Sequence, residues 1–161
     1  MTFLRFLMLV SLVAWIGGLI FFPVVAQTAF SVLPTRQLAG LVVRHSLGIL
    51  HWMGLISGFV FLVSSLVYNR FSDGSAHAFA LRHILIAAML SLTLISQFGI
   101  VPRMDALRAS IPGEIDSVPP DHPARARFDG LHLWSTRVEQ GVLLLGLVLV
   151  YLTARQRPQF G

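Results

Sequence analysis

Apolar residues run through this chain in long blocks, and charged residues punctuate them. Thirty uncharged residues separate Arg5 from Arg36, 25 separate Arg44 from Arg70, and 20 separate Arg82 from Arg103. After Glu139 the chain stays uncharged until Arg155, a run of 15. About 20 apolar residues in a helix cover the hydrocarbon core of a bilayer. Three runs reach that length outright. The fourth span must start earlier, near Leu131, and carry His132, Arg137 and Glu139 in its first turns. The pattern predicts an all-α polytopic membrane protein, an antiparallel bundle of four transmembrane helices. It predicts a single domain over 1–161, with spans at about 3–32, 42–69, 80–108 and 126–154.

The breakers along the chain fit these spans. The first run is too long for a signal peptide and has no small-x-small cleavage site after it. Pro23 is expected to kink the first helix, since membrane helices tolerate proline, and Leu33-Pro34-Thr35 to end it. Asn69 to Ala78, with Asp73-Gly74, reads as a short polar turn, and the proline-rich stretch 111–123 as a loop. Asp121 is a candidate cap for the last helix. Short connections put the termini and the 70–82 turn on one side and loops 1 and 3 on the other.

Composition names the solvent. Apolar residues make up 55% and charged residues 12%, with a mean hydropathy of +0.76. A soluble domain carries about 25% charged residues, so the partner of this surface is the lipid bilayer. All 12 basic residues are Arg, and the net charge is +5. They are spaced singly rather than clustered, which excludes a nucleic-acid partner. The chain has no cysteine, which excludes disulfides and thiolate metal sites. Arginines divide five to six between the two sides, so the positive-inside rule gives no clear winner. The length and acids of loop 3 tip the expectation toward cytoplasmic termini.

Polar residues inside membrane helices are costly and therefore informative. His45 and His51 lie at the start of the second helix, Gln97 and Arg103 near the end of the third, and His132, Ser135, Arg137 and Glu139 at the start of the fourth. In an antiparallel bundle these places share one depth. The opposite half is expected to be aliphatic, with small hydroxyls such as Ser64, Ser65 and Thr153. His132, Ser135, Thr136 and Glu139 follow i, i+3, i+4, i+7 and share one helical face. Arg137 lies off it. Arg44 shares a face with His51. Glu139 is expected to meet His51 or Arg103. His45 and His51 are six residues apart and point different ways. A cofactor-binding pair would therefore be His51 with His132 across helices. Such a pair could ligate a haem iron, or a copper ion helped by Glu139 or Met53. The alternative is that both imidazoles are hydrogen-bonded glue between helices. His77, His83 and His122 are expected at solvent or interface. Trp52 and Trp134 suit an interfacial belt, and Trp15 packing or a wall of the site. Gly54-x-x-x-Gly58 and Ala14-x-x-x-Gly18 allow close helix approach. Nucleotide, serine-hydrolase and zinc-protease motifs are absent.

The order Trp15…Phe30…Leu33-Pro34, then Gln97…Pro102-Arg103, then Arg127-Phe128…His132-x-x-Ser135 resembles the transmembrane protein 205-like family, whose bacterial members form domain of unknown function 4149. The resemblance covers nearly the whole chain, with Phe128, His132 and Ser135 its most specific part. It implies a four-span protein of the bacterial inner membrane with no agreed biochemical activity. An animal relative is associated with cisplatin resistance, which hints at handling of a metal complex. The architecture is also distantly similar to copper-resistance protein D and to the haem-using membrane protoporphyrinogen oxidase, by analogy alone.

Three functions follow as expectations. The first is a binding protein with a one-sided polar site for haem or a metal ion at His51, His132 and Glu139. The second is a transporter or permeation subunit, working as a homo-oligomer. The third is an accessory or assembly subunit of a larger membrane complex. An enzymatic role is weaker, because nothing in the chain specifies a substrate. The absence of cysteine makes the topology directly testable. Single cysteines at Thr35 and Ser117 should both label with an impermeant thiol reagent added outside intact cells. Labelling only after lysis would reverse the expected orientation.

Overall fold

The structure, a computed structural model, describes residues 2–73 and 81–155. Four long helices carry the chain: α1 (Thr2–Val32), α2 (Arg36–Asp73), α3 (Leu81–Ala109) and α4 (Pro123–Ala154). There is no strand among the described residues. Each of the four is long and apolar enough to cross a membrane. The shortest, α3, has 29 residues. At about 1.5 Å per residue it outruns a hydrocarbon core of about 30 Å, so helix ends reach headgroup level.

Local chemistry sets the helix ends. Thr35 accepts the Leu38 N–H on its hydroxyl at 3.2 Å, so α2 begins at Arg36 rather than near 42. This cap satisfies an N–H that has no partner within the helix. At the other end α2 runs on to Asp73, so residues 69–73 are helical rather than a turn. Gly74 and His77 lie outside the described residues. Proline begins α4 at Pro123, a position where a missing N–H costs nothing. The cap there is His122, not Asp121: the Ala124 N–H donates to His122 Nδ1 at 3.3 Å. Pro23 sits inside α1 without ending it.

One irregularity matters for the site. Over Ile95–Ile100, α3 widens into a π-turn, and the Val101 N–H reaches five residues back to Ser96 O. Pro102 follows directly. A helical proline has no N–H for the carbonyl four residues back and crowds it, and a π-turn relieves that conflict.

The helices α1 and α2 pack face to face along the small-residue stripe. The buried Trp15 indole lies on it. A Cβ added at Gly54 would come within 2.6 Å of Trp15 Cε2, and one at Gly58 within 2.7 Å of Trp15 Cζ3. Toward the termini, Gly146 of α4 sits against Ile16 and Met89. Around these contacts Leu12, Phe61, Ile86, Val142 and Leu149 fill a closed apolar core. Large apolar side chains point outward on every helix; Val13 is 73% exposed and Ile49 71%. A soluble protein does not leave such a surface bare, and it suits lipid.

The terminal half is not as purely aliphatic as its composition suggests. Ser65 and His83 hydrogen-bond at 2.8 Å, and Arg82 donates to Asn69 Oδ1. Ser65, Asn69 and His83 are all buried. His83 is thus a core residue and not a solvent or interface one. Nearer the end, Arg5 donates through Nε to the Tyr68 hydroxyl at 3.0 Å.

The tight Trp15 contact predicts a position-specific cost. Gly54→Ala should lower stability by roughly 1–3 kcal/mol, the usual cost of overpacking. Gly17→Ala, whose new methyl group meets nothing within 4 Å, should cost little. Unfolding of both variants in mild detergent checks this; equal behaviour would contradict the packing.

Candidate functional site

Three helices meet at one buried imidazole. His51 of α2 is 1% exposed. Its Nδ1 lies 2.7 Å from Gln97 Oε1 on α3, and its Nε2 lies 2.7 Å from Glu139 Oε1 on α4. Gln97 reaches it from within the π-turn, where the wider helical turn resets the direction of its side chain. The knot admits more than one hydrogen arrangement. An imidazolium donates to both oxygens. A neutral ring donates to Glu139 and accepts from the Gln97 amide turned about its axis. In either case the His51 ring fixes the Glu139 carboxylate in place.

Beside this knot the seam between α1 and α4 opens into a chamber of about 360 Å³. Its inner walls are apolar, from Leu19, Phe22 and Leu47. Facing them is the polar strip of α4: His132, Ser135, Thr136 and Glu139. The sequence period alone places those four on one face, and the chamber is what that face looks into. A vestibule of about 560 Å³ continues the space toward the loops. Chamber and vestibule share Phe30, Arg44, Asp105, Arg108 and His132, which therefore form the throat between them.

The throat is held by charge and by stacking. Arg44 grips Asp105 with two parallel hydrogen bonds, one from Nε and one from Nη2. Such a fork is the strongest geometry open to this pair of groups. The Arg108 guanidinium lies 4.8 Å over the Phe128 ring. Phe128 also stacks with the His132 imidazole at 6.4 Å between centroids and 4° between planes. Both stacks orient side chains that line the throat.

The residues singled out by sequence are thus divided. Arg44, His51, Gln97, His132, Ser135 and Glu139 gather around the chamber or the knot beneath it. His51, not Arg103, is the partner of Glu139. Arg103 lies instead in a groove on the outer face of α3 and α4. Arg137 sits 5.6 Å over the Trp134 ring on that outer surface. His45 lines a separate groove with Trp52 and Met53, and its Nδ1 lies 3.0 Å from Leu41 O.

Sequence reasoning missed Asp105 and Arg108. Asp105 was readable: it is the one acid inside the 80–108 span, and Arg44 across the bundle needed a counter-charge.

The set His51, His132 and Glu139 does not close around one ion. Both His51 ring nitrogens already have partners. His132 and Glu139 are seven residues apart, about 10 Å along a helix axis, whereas metal–ligand bonds are about 2 Å. No group of three or more metal-ligating side chains that could hold an ion occurs among the described residues. For the same reason His51 has no nitrogen to offer a haem iron opposite His132, and Met53 lies in a different groove.

A family model described as Domain of unknown function (DUF4149) matches residues 10–111, 102 of the 161. The match spans most of α1 and all of α2 and α3. The Arg127–Ser135 segment lies outside it. No curated protein and no solved structure matches the chain.

The throat predicts a change in access. In detergent-solubilised protein, a cysteine at the buried Ser135 should react slowly with a water-soluble thiol reagent. Adding Asp105→Ala should speed that reaction roughly fivefold, which corresponds to about 1 kcal/mol for a partly exposed ion pair. An unchanged rate would show that the Arg44–Asp105 pair does not guard the chamber.

Proposed function

From the premise that the chain belongs to the family described as Domain of unknown function (DUF4149), we propose that it is a membrane protein that binds a small amphipathic organic molecule in the α1–α4 chamber. The observation that carries this reading is the chamber's two-sided lining. Apolar walls from α1 and α2 face a polar strip on α4, at a volume typical of small-molecule sites. The polar groups lie at two levels. Glu139, braced by His51, stands at the deep end as an acceptor for an amine or hydroxyl. Arg108 and His132 stand at the throat, where they suit an acidic or carbonyl end. Their separation along α4, about 10 Å by helical rise, favours an elongated molecule over a single ion.

A transport role has one specific observation in its favour: the vestibule carries the chamber outward toward loops 1 and 3. Among the described residues, Ile16, Met89 and Val142 pack into an apolar core on the terminal side of the chamber. Binding is therefore the first reading, and transport would require the terminal half to open.

Native mass spectrometry of the chain, taken from its own membrane into nanodiscs, tests the proposal. The wild type should carry a bound small molecule. Ser135→Leu, which fills the chamber, should lose it, and Glu139→Gln should weaken its retention. A wild type with no bound molecule, or variants that retain it equally, would count against the chamber as a binding site.

A further inference from the structure

A second feature lies on the outer face of the bundle, away from the chamber. On α3, Arg103, Ala106, Leu107 and Ser110 follow i, i+3, i+4, i+7; on α4, Arg127, Gly130, Leu131 and Trp134 do the same. Together these two faces line one groove of about 570 Å³. Matching stripes on adjacent antiparallel helices make a trough whose middle is small. Ala106, Ser110 and Gly130 leave it open, and a Cβ added at Gly130 would meet nothing within 4 Å. Leu107 and Leu131 supply an apolar floor.

The charge of the groove is one-signed. Arg103 and Arg127 both line it and no acidic side chain does. Neither arginine is in an ion pair among the described residues, whose ion pairs are Arg44–Asp105, His51–Glu139 and Arg125–Asp129. Trp134, 59% exposed, stands at the inner end with the Arg137 guanidinium over its ring. The position is at the loop-side ends of α3 and α4, where lipid headgroups meet the helices. Arginine offers a fork of donors that matches phosphate oxygens. Basic pockets between membrane helices near the interface suit anionic headgroups.

We propose that this groove is a binding site for one anionic phospholipid. Arg127 at the loop-side end holds its phosphate, Arg103 adds positive charge deeper in the trough, and its acyl chain lies along Leu107, Leu131 and Trp134. Charge complementarity selects the occupant: an apolar trough facing lipid, with two guanidinium groups and no counter-ion, lacks only an acidic headgroup. A zwitterionic lipid presents its own cation to the same arginines and is disfavoured.

The test uses the full chain reconstituted in nanodiscs of phosphatidylcholine with a minority of phosphatidylglycerol or cardiolipin. Lipids that remain bound after transfer to detergent are weighed by native mass spectrometry. The wild type should retain one anionic lipid well above its share of the bilayer. The double variant Arg103→Gln/Arg127→Gln should lose that enrichment. So should Gly130→Leu, which fills open space without touching either charge and leaves the fold intact. Retention of phosphatidylcholine in proportion to its abundance would overturn the proposal, as would enrichment that both variants keep. Displacement of the lipid by millimolar inorganic phosphate would also overturn it, since the site would then be one for the free anion.

Discussion

An imidazole carried into the middle of a membrane bundle must find partners for both ring nitrogens, because neither lipid nor packed side chains can replace water. His51 meets that demand with Gln97 on α3 and Glu139 on α4. Much of the loop-side half follows from this. The knot ties three helices at one depth. It holds the Glu139 carboxylate against the chamber, and it requires Gln97 to point inward, which the π-turn before Pro102 allows. Removing either partner would leave a buried polar group unpaired, a loss of about 1–3 kcal/mol per group.

The two halves of the bundle therefore do different work. In the terminal half, glycines at 54, 58 and 146 let Trp15, Ile16 and Met89 fill the space between helices. In the loop-side half a chamber opens between α1 and α4, with a polar strip on α4 and with Arg44, Asp105 and Arg108 at its mouth. The fork between Arg44 and Asp105 stands where the chamber meets the vestibule. Small residues build the closed end, and paired charges build the open one.

Much of this was legible in the chain. The four uncharged runs located the helices, and the i, i+3, i+4, i+7 order of His132, Ser135, Thr136 and Glu139 located the polar wall. The pairing of Glu139 with His51 could be narrowed to two candidates by depth alone. What stayed hidden depended on direction around the helix axis and on distance between helices. Arg103 shares the depth of the site but faces outward; six residues from Gln97, it points a different way around the helix. His83 looked like an interface residue because the chain alone does not say which way it faces; the packing of α3 on α2 turns it against Ser65. Depth alone also places His51, His132 and Glu139 at one end of the bundle without saying whether they surround one point.

The claim that His51 is the joint between the helices and the chamber is tested most directly by a double-mutant cycle. His51→Leu, Glu139→Leu and the double variant would be unfolded reversibly in mixed micelles and compared with the wild type. The account predicts a coupling energy of about 1–3 kcal/mol between the two positions, because each substitution removes the same hydrogen bond. Additivity to within about 0.5 kcal/mol would contradict it and leave His51 and Glu139 as independent neighbours.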